Sequence, residues 1–322
     1  MKILIAGHDL KFLSFYTAYL ETLEPAEVLY DNWEGHNSHD VTGSLEKLKW
    51  ADIVFCEWGL GNAVFFSEHK RQDQRLIIRL HRQELNTGYL HWVDHQKVDA
   101  FICVSPRMRD AFAAKFRIPA GRITVIPNAV DLNGFTPSKA HGNMTLGMVG
   151  YIPKLKRMDK ALDLLQTLHR AGQEYSLVFK GLHPFDTKWL LKRPDERAYF
   201  EEQFERIEHE GLSGYVSFES FGSMNTFYSD KDFILSMSDV EAFHLAVAEG
   251  MAAGVLPVIH GWRGADQIYG RDFIVPDVDR VADFIKDLSE NREKHKETME
   301  KIVSKFDEQL IISMLNRLVL ES

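Results

Sequence analysis

At 322 residues the chain is long enough for about two domains, and 45% hydrophobic with 26% charged residues is a folded globular composition, not a disordered or fibrous one. The 38 Lys and Arg are outnumbered by 47 Asp and Glu, a net charge of −9 that argues against general nucleic-acid binding, which rests on neutralising phosphates. The excess lies after residue 140, where 22 basic residues face 30 acidic ones, against 16 and 17 before it.

The apolar stretch in Met1–Gly7 is too short for a signal peptide. Short β-branched or apolar runs then alternate with amphipathic ones. Ile3–Ala6, Val28–Tyr30, Ile53–Cys56, Leu76–Leu80, Ala100–Val104 and Ile123–Ile126 read as strands buried on both faces. Phe12–Leu23, Ser44–Trp50 and Pro106–Phe116 carry helical spacing between them. Continuous apolar strands separated by helices predict a parallel sheet covered on both sides. The two cysteines, Cys56 and Cys103, fall inside these strands, which predicts buried reduced thiols and no disulfide framework.

Residues 127–144 are rich in Pro, Gly and Asn and read as a linker. The alternation then restarts with strand Thr145–Val149, helix Lys156–Arg170, strand Ser176–Phe179, helix Asp195–Glu210 and strands Tyr215–Phe218 and Phe233–Leu235. Helix His244–Ala253, strand Val255–Ile259 and two helices over Glu290–Lys305 and Phe306–Leu320 complete it. The fold class is therefore α/β: two Rossmann-like, doubly wound parallel-sheet domains with an interdomain cleft. The expected divisions are 1–138, 139–302 and a C-terminal helix over 303–322 that returns to the first domain. The longest apolar stretch, Ala242–Ile259, is interrupted by His244, Glu249, two glycines and Pro257, so no spanning helix is expected.

The most informative segment is Ser238-Asp239-Val240-Glu241-Ala242-Phe243-His244-Leu245-Ala246-Val247-Ala248-Glu249-Gly250. A helix starting near Phe243–Leu245, just after a strand, presents free amides and a positive dipole end, which suit a phosphate. Glu241 before that turn and Glu249 inside the helix fit hydroxyls of a phosphate-bearing sugar. They fit equally a helix-start acid favoured by the dipole and a solvated helix residue, and spacing alone does not separate these readings. His81 ends an apolar strand among Arg79, Arg82 and Glu84, where a surface histidine is the plainer reading. The basic run His69–Arg82 reads as a solvated edge or as a surface for a phosphorylated or lipid-linked acceptor. Among the N-terminal aromatics, Trp58 and Trp92 are candidates for stacking on a sugar. Asp277-Val278-Asp279 reads as helix capping, and the 14 histidines offer no H-E-x-x-H pair, so no metal site is expected.

With Glu241 and Glu249 separated by seven residues, this segment resembles the E-x7-E signature of retaining glycosyltransferases of family four, which have the GT-B fold. Other segments agree in order: Ile78-Arg79-Leu80-His81, Val104-Ser105-Pro106-Arg107-Met108-Arg109, Ile118-Pro119, Ile126-Pro127-Asn128-Ala129-Val130-Asp131, and Gly147-Met148-Val149-Gly150-Tyr151 through Lys156. The resemblance implies a hexosyltransferase that needs no metal or cofactor and takes a nucleotide-sugar, by default a UDP-sugar. Its expected acceptor is a glycan, glycolipid or glycoprotein in cell-surface polysaccharide assembly. It implies that Glu241, His81 and Lys156 serve catalysis, with Lys156 neutralising the donor phosphates. Phe243, His244 and Leu245 would hold the diphosphate through their amides, and Glu249 the ribose.

Tyr151 stands where relatives carry a phosphate-binding Arg, and Lys180 or Lys154 is the candidate for that missing charge. Gly7 opens a turn that lacks the usual glycine-rich loop. Trp58, Trp92, Arg79 and Arg82 are the candidate acceptor contacts. A cytoplasmic protein is expected, with room for peripheral contact at the inner membrane face through the first domain, and no nucleic-acid partner. The alternative is a catalytically silent GT-B subunit that binds a nucleotide or a partner.

Overall fold

The structure, a computed structural model, describes residues 1–139, 142–275 and 280–321. Asp277-Val278-Asp279 lies outside the described residues. The chain forms two compact units, Met1–Ala129 with Phe306–Ser322, and Val130–Lys305. The first division thus falls earlier than residue 138, because the segment after Ala129 is tied into the second unit. Thr136 N donates to Asn225 Oδ1 at 2.8 Å and Ser138 N to the Ala253 carbonyl at 2.7 Å.

In the first unit, six parallel strands lie in the order β2-β1-β3-β4-β5-β6. They are β1 Lys2–Gly7, β2 Glu27–Asn32, β3 Ile53–Glu57, β4 Arg75–Arg79, β5 Ala100–Cys103 and β6 Ile123–Val125. Between them run α1 Ser14–Glu21, α2 Val41–Trp50, α3 Gly61–His69 and α4 Pro106–Phe116. β1 and β3 to β5 are buried along almost their whole length, as expected, but β2 is not. It sits at the sheet edge, with Glu27, Leu29 and Asn32 exposed. The start of α4 follows capping chemistry: Ser105 Oγ accepts from the Met108 amide, and Pro106, which has no amide proton to lose, opens the helix.

The second unit holds β7 Thr145–Val149, β8 Ser176–Lys180, β9 Val216–Glu219, β10 Phe233–Ser236, β11 Leu256–His260 and β12 Ile274–Val275, in the order β12-β11-β10-β7-β8-β9. Its helices are α5 Met158–Arg170, α6 Lys188–Leu191, α7 Pro194–His209, α8 Met224–Tyr228, α9 Leu245–Ala252, α10 Ala265–Tyr269, α11 Val281–Glu290 and α12 Arg292–Val303. α5 buries Met158, Ala161, Leu162, Leu165 and Leu168, the three-four spacing of one helical face. Each fully buried Leu contributes about 1.5–3 kcal/mol by leaving water.

The last helix, α13 Glu308–Val319, belongs to the first unit. Ile311, Ile312, Leu315 and Val319 join the core of Ile3, Ile5, Tyr16 and Phe55. Tyr16 Oη donates to Asn316 Oδ1 at 3.1 Å, and the Arg75 guanidinium donates to the Val319 and Leu318 carbonyls at the open end of the helix. Both cysteines are free and buried. Among the described residues no helix is long and apolar enough to cross a membrane.

Candidate functional site

In the second unit the predicted donor residues gather where β7 and β10 end. After β7 the chain turns at Gly150, whose φ of +70° is a left-handed value that an L side chain adopts at a cost. It then runs through a short helical turn that ends in Lys156. After β10 it runs through Ser238 and Glu241 to His244, and α9 begins. The two loops are joined: Asp239 N donates to the Leu155 carbonyl at 2.9 Å, and Arg157 Nη1 and Lys160 Nζ both hold the Asp239 carboxylate.

At this junction Lys156 Nζ lies 2.5 Å from Glu241 Oε1, which also accepts from Ser238 Oγ at 2.7 Å. The Glu241 carboxyl is held down at about 2: burial opposes ionisation, but the charges of His244 and Lys156 and both hydrogen bonds outweigh it. Burial drives the His244 imidazole down to about 4, so it is uncharged at neutral pH and Lys156 is the cation that matches Glu241.

His244 itself sits at φ +64°, unusual for a side chain of its size. Three contacts hold it there: Ser236 Oγ at 2.6 Å from Nδ1, and Tyr269 Oη donating to the carbonyls of Phe243 and His244. No side chain caps α9, so its first amides stay available, and Phe243 and Leu245 flank the turn, the Phe243 ring buried against Tyr269. Four residues along, Glu249 accepts from Tyr228 Oη at 3.0 Å, and burial pushes its carboxyl up despite that bond.

Two predicted donor residues lie otherwise than expected. The Tyr151 ring is 1% exposed and packs against Phe179 and Phe218 at 5.2 and 5.7 Å, so its side chain fills the core where a phosphate-binding Arg was the comparison. Lys180 ends β8, but its Nζ donates to Glu219 Oε2 at 3.1 Å and to the Ser220 carbonyl at 3.2 Å, over the Phe227 ring. Its charge is already matched. Lys154 pairs with Asp195 at 2.6 Å on the surface.

The first unit brings its own cluster to the ends of β3 and β4. Arg79 and Glu57 are register partners, 4% and 0% exposed in their side chains and 2.6 Å apart. Arg79 Nη2 also donates to Asn128 Oδ1 at 2.7 Å. Arg79 is therefore an internal charge, which removes it as an acceptor contact. The basic run forms no continuous surface either, since Arg75 is spent on α13 and Arg71 on Asp73. Trp58 stacks on His81 at 3.8 Å, 9% exposed and with its Nε1 bonded to the Asp9 carbonyl, so it frames His81 rather than opening to solvent. Trp92 is 66% exposed and Arg82 partly so. At Gly7 a Cβ would stand 2.7 Å from the Glu57 carbonyl, so the close strand neighbour alone requires glycine.

Sequence reasoning did not single out Glu57, Ser236, Ser238, Tyr228 or Tyr269. A charged residue closing an apolar strand was the available signal for Glu57, as it was for His81. Tyr228 and Tyr269 meet partners more than twenty residues along the chain, and Ser236 and Ser238 are small polar groups near the turn itself.

Comparison with known proteins decides the family. The model of Glycosyltransferase Family 4 matches residues 44–133, and that of Glycosyl transferases group 1 matches 134–305, more than half of the chain. The chain belongs to the group 1 glycosyltransferases. It is a transferase of GT-B fold, with two Rossmann-like α/β domains. Anabaena Alr3699/HepE, solved with UDP, is similar at a TM-score of 0.75 and 16% identity, covering 98% of this chain and 99% of that one. A glycosyltransferase from Rickettsia africae ESF-5 is similar at 0.74 and 15%, covering 100% and 99%. The pneumococcal O-GlcNAc transferase GtfA, solved with UDP and GlcNAc, is similar at 0.66 and 17%, covering 87% of this chain and 59% of that one. At such identities the likeness speaks for the fold. No curated protein sequence matches the chain.

Proposed function

We propose that this glycosyltransferase is retaining and metal-independent, moving a sugar from a UDP-sugar to a glycan, glycolipid or glycoprotein in cell-surface polysaccharide assembly. The observation that carries the reading is the Lys156–Glu241 pair at the uncapped start of α9. An ammonium has three protons, and Lys156 uses one on Glu241, so two remain for a diphosphate. The positive end of α9 adds amides of His244 and Leu245. Together they neutralise the charge that develops on the departing nucleotide, the task a metal performs elsewhere.

A carboxylate beside a diphosphate is repulsive unless it faces hydroxyls. Glu241 spends Oε1 on Lys156 and Ser238, which leaves Oε2 to accept from the donor sugar. Glu249, set by Tyr228, reads the ribose. The leaving phosphate takes the acceptor proton on the face from which the nucleotide departs, so the anomeric configuration is kept. A UDP donor is supported by the relatives solved with UDP and UDP-glucose. NMR of the product made from an α-linked UDP-sugar tests the reading: an α-linked product made in excess EDTA is expected. An inverted product, or activity lost to EDTA and restored by a divalent ion, would overturn it.

A further inference from the structure

We propose that Glu57 is the positioning residue of His81, fixing its imidazole in the Nε2-protonated form so that His81 serves transfer as a fixed contact surface and not as a proton carrier. The proposal rests on the reading that His81 works in transfer.

The geometry starts from register. Glu57 and Arg79 are opposed at the ends of β3 and β4, and His81 follows Arg79 by two residues, on the same face. One oxygen, Glu57 Oε1, takes both Arg79 Nη1 at 2.6 Å and His81 Nε2 at 2.9 Å, while Oε2 is buried without a partner. An ionised carboxylate only accepts hydrogen bonds. Nε2 must therefore carry the proton, and Nδ1 the lone pair. The turn that follows is held by Glu84, whose amide donates to the His81 carbonyl at 3.3 Å. Glu84 Oε1 accepts from the His81 amide at 2.9 Å and from Gly59 N at 2.8 Å. Trp58, held at φ +74°, lies across one face of the ring, and Phe12 stands 5.4 Å away.

With its ring stacked on Trp58 and its Nε2 proton committed to Glu57, the imidazole is held in one orientation and one tautomer. A buried ion pair contributes little net stability, because desolvation offsets the attraction. Its service here is orientation. The charged and titratable groups around the ring are Glu57 from β3, Arg79 from β4, His8 and Asp9 from the loop after β1, and Glu84 from the following turn. Burial lowers the His81 pKa from its usual value, against the pull of Glu57.

Three variants test this, assayed with a UDP-sugar. His81→Ala is expected to lose activity, and full activity there would instead sink the reading that His81 takes part. His81→Gln, which keeps a donor for Glu57 but cannot carry a proton, is expected to retain at least about tenfold more activity than His81→Ala. Equal loss in both would overturn the proposal. Glu57→Gln is expected to lower kcat at least about tenfold, as when the partner orienting a working histidine is removed, with the donor KM unchanged. Unaltered kcat would overturn it. Should Glu57→Gln fail to fold, a 15N imidazole spectrum of the wild-type protein decides: an Nε2-protonated His81 at pH 7 is expected, and an Nδ1-protonated or charged ring contradicts it.

Discussion

Each unit closes its sheet with the same trio, an acid, a cation and a histidine beside a residue in left-handed backbone. In the first they are Glu57, Arg79 and His81 with Trp58 at φ +74°; in the second, Glu241, Lys156 and His244, the last itself at φ +64°. What differs is access. The Glu57 and Arg79 side chains are 0% and 4% exposed, those of Glu241 and Lys156 11% and 21%. The first cation is a guanidinium bonded through both of its terminal nitrogens, and the second an ammonium with protons to spare. A sealed trio fixes geometry, and the partly open one is where the proposed donor contacts lie; the first frames one side chain.

The sharpest way to break this contrast is to remove both acids in turn. Glu241→Ala is expected to lower kcat by about 10²–10³-fold or more, in line with loss of a group that acts on developing charge. The fold should stay intact by circular dichroism and thermal melting, and an active Glu241→Ala variant would show that the open trio is not the working one. Glu57→Ala strands the buried Arg79 cation, and urea unfolding should show a loss of about 3–5 kcal/mol. A loss no larger than that of Glu241→Ala would erase the distinction.

The pH dependence of stability sharpens it further, because Glu84, beside the first trio, pulls in the opposite direction to His244 and Glu241 of the second. His244 is held at about 4 in the fold and near 6.5 unfolded, so the unfolded chain gains protons first. Its contribution is whole above pH 6.5 and is lost as pH falls towards 4. Glu241, held at about 2 against 4.5 unfolded, adds a loss between pH 4.5 and 2. In the first unit burial pushes Glu84 up to about 8, against hydrogen bonds from the amides of His81 and Gly59. Its contribution is present below pH 4.5 and is lost as pH rises through 8. Glu84→Gln should therefore be close to neutral at pH 5 and stabilising at pH 9, read from urea midpoints. Equal effects at both pH values would contradict it.

The smallest effect is expected at Lys180. Since Glu219 already matches its charge, Lys180→Ala should raise the donor KM less than Lys156→Ala does. The reverse order would make Lys180 the substitute for the missing Arg.

Much of this was legible in the amino-acid order, for physical reasons. Strands covered on both faces leave unbroken apolar runs such as Ile53–Cys56, and Glu241, Glu249 and Lys156 sit at fixed distances from strand ends. The exposed β2 was misread because its apolar residues do not report which strand lies at an edge. Tyr151 and Arg79 were misplaced for a related reason. Polar residues at strand ends look alike in sequence whether they face a ligand or a neighbour such as Glu57. Gly7 shows the same limit, since its need arises from the Glu57 carbonyl fifty residues on.

Calorimetric titration of UDP into the wild-type protein and Lys156→Ala bears most directly on the claim that the turn before α9 grips a diphosphate. Removing a charged hydrogen-bond donor from a phosphate should weaken Kd at least about tenfold, with folding unchanged. Equal affinity in a folded Lys156→Ala variant would place the nucleotide elsewhere.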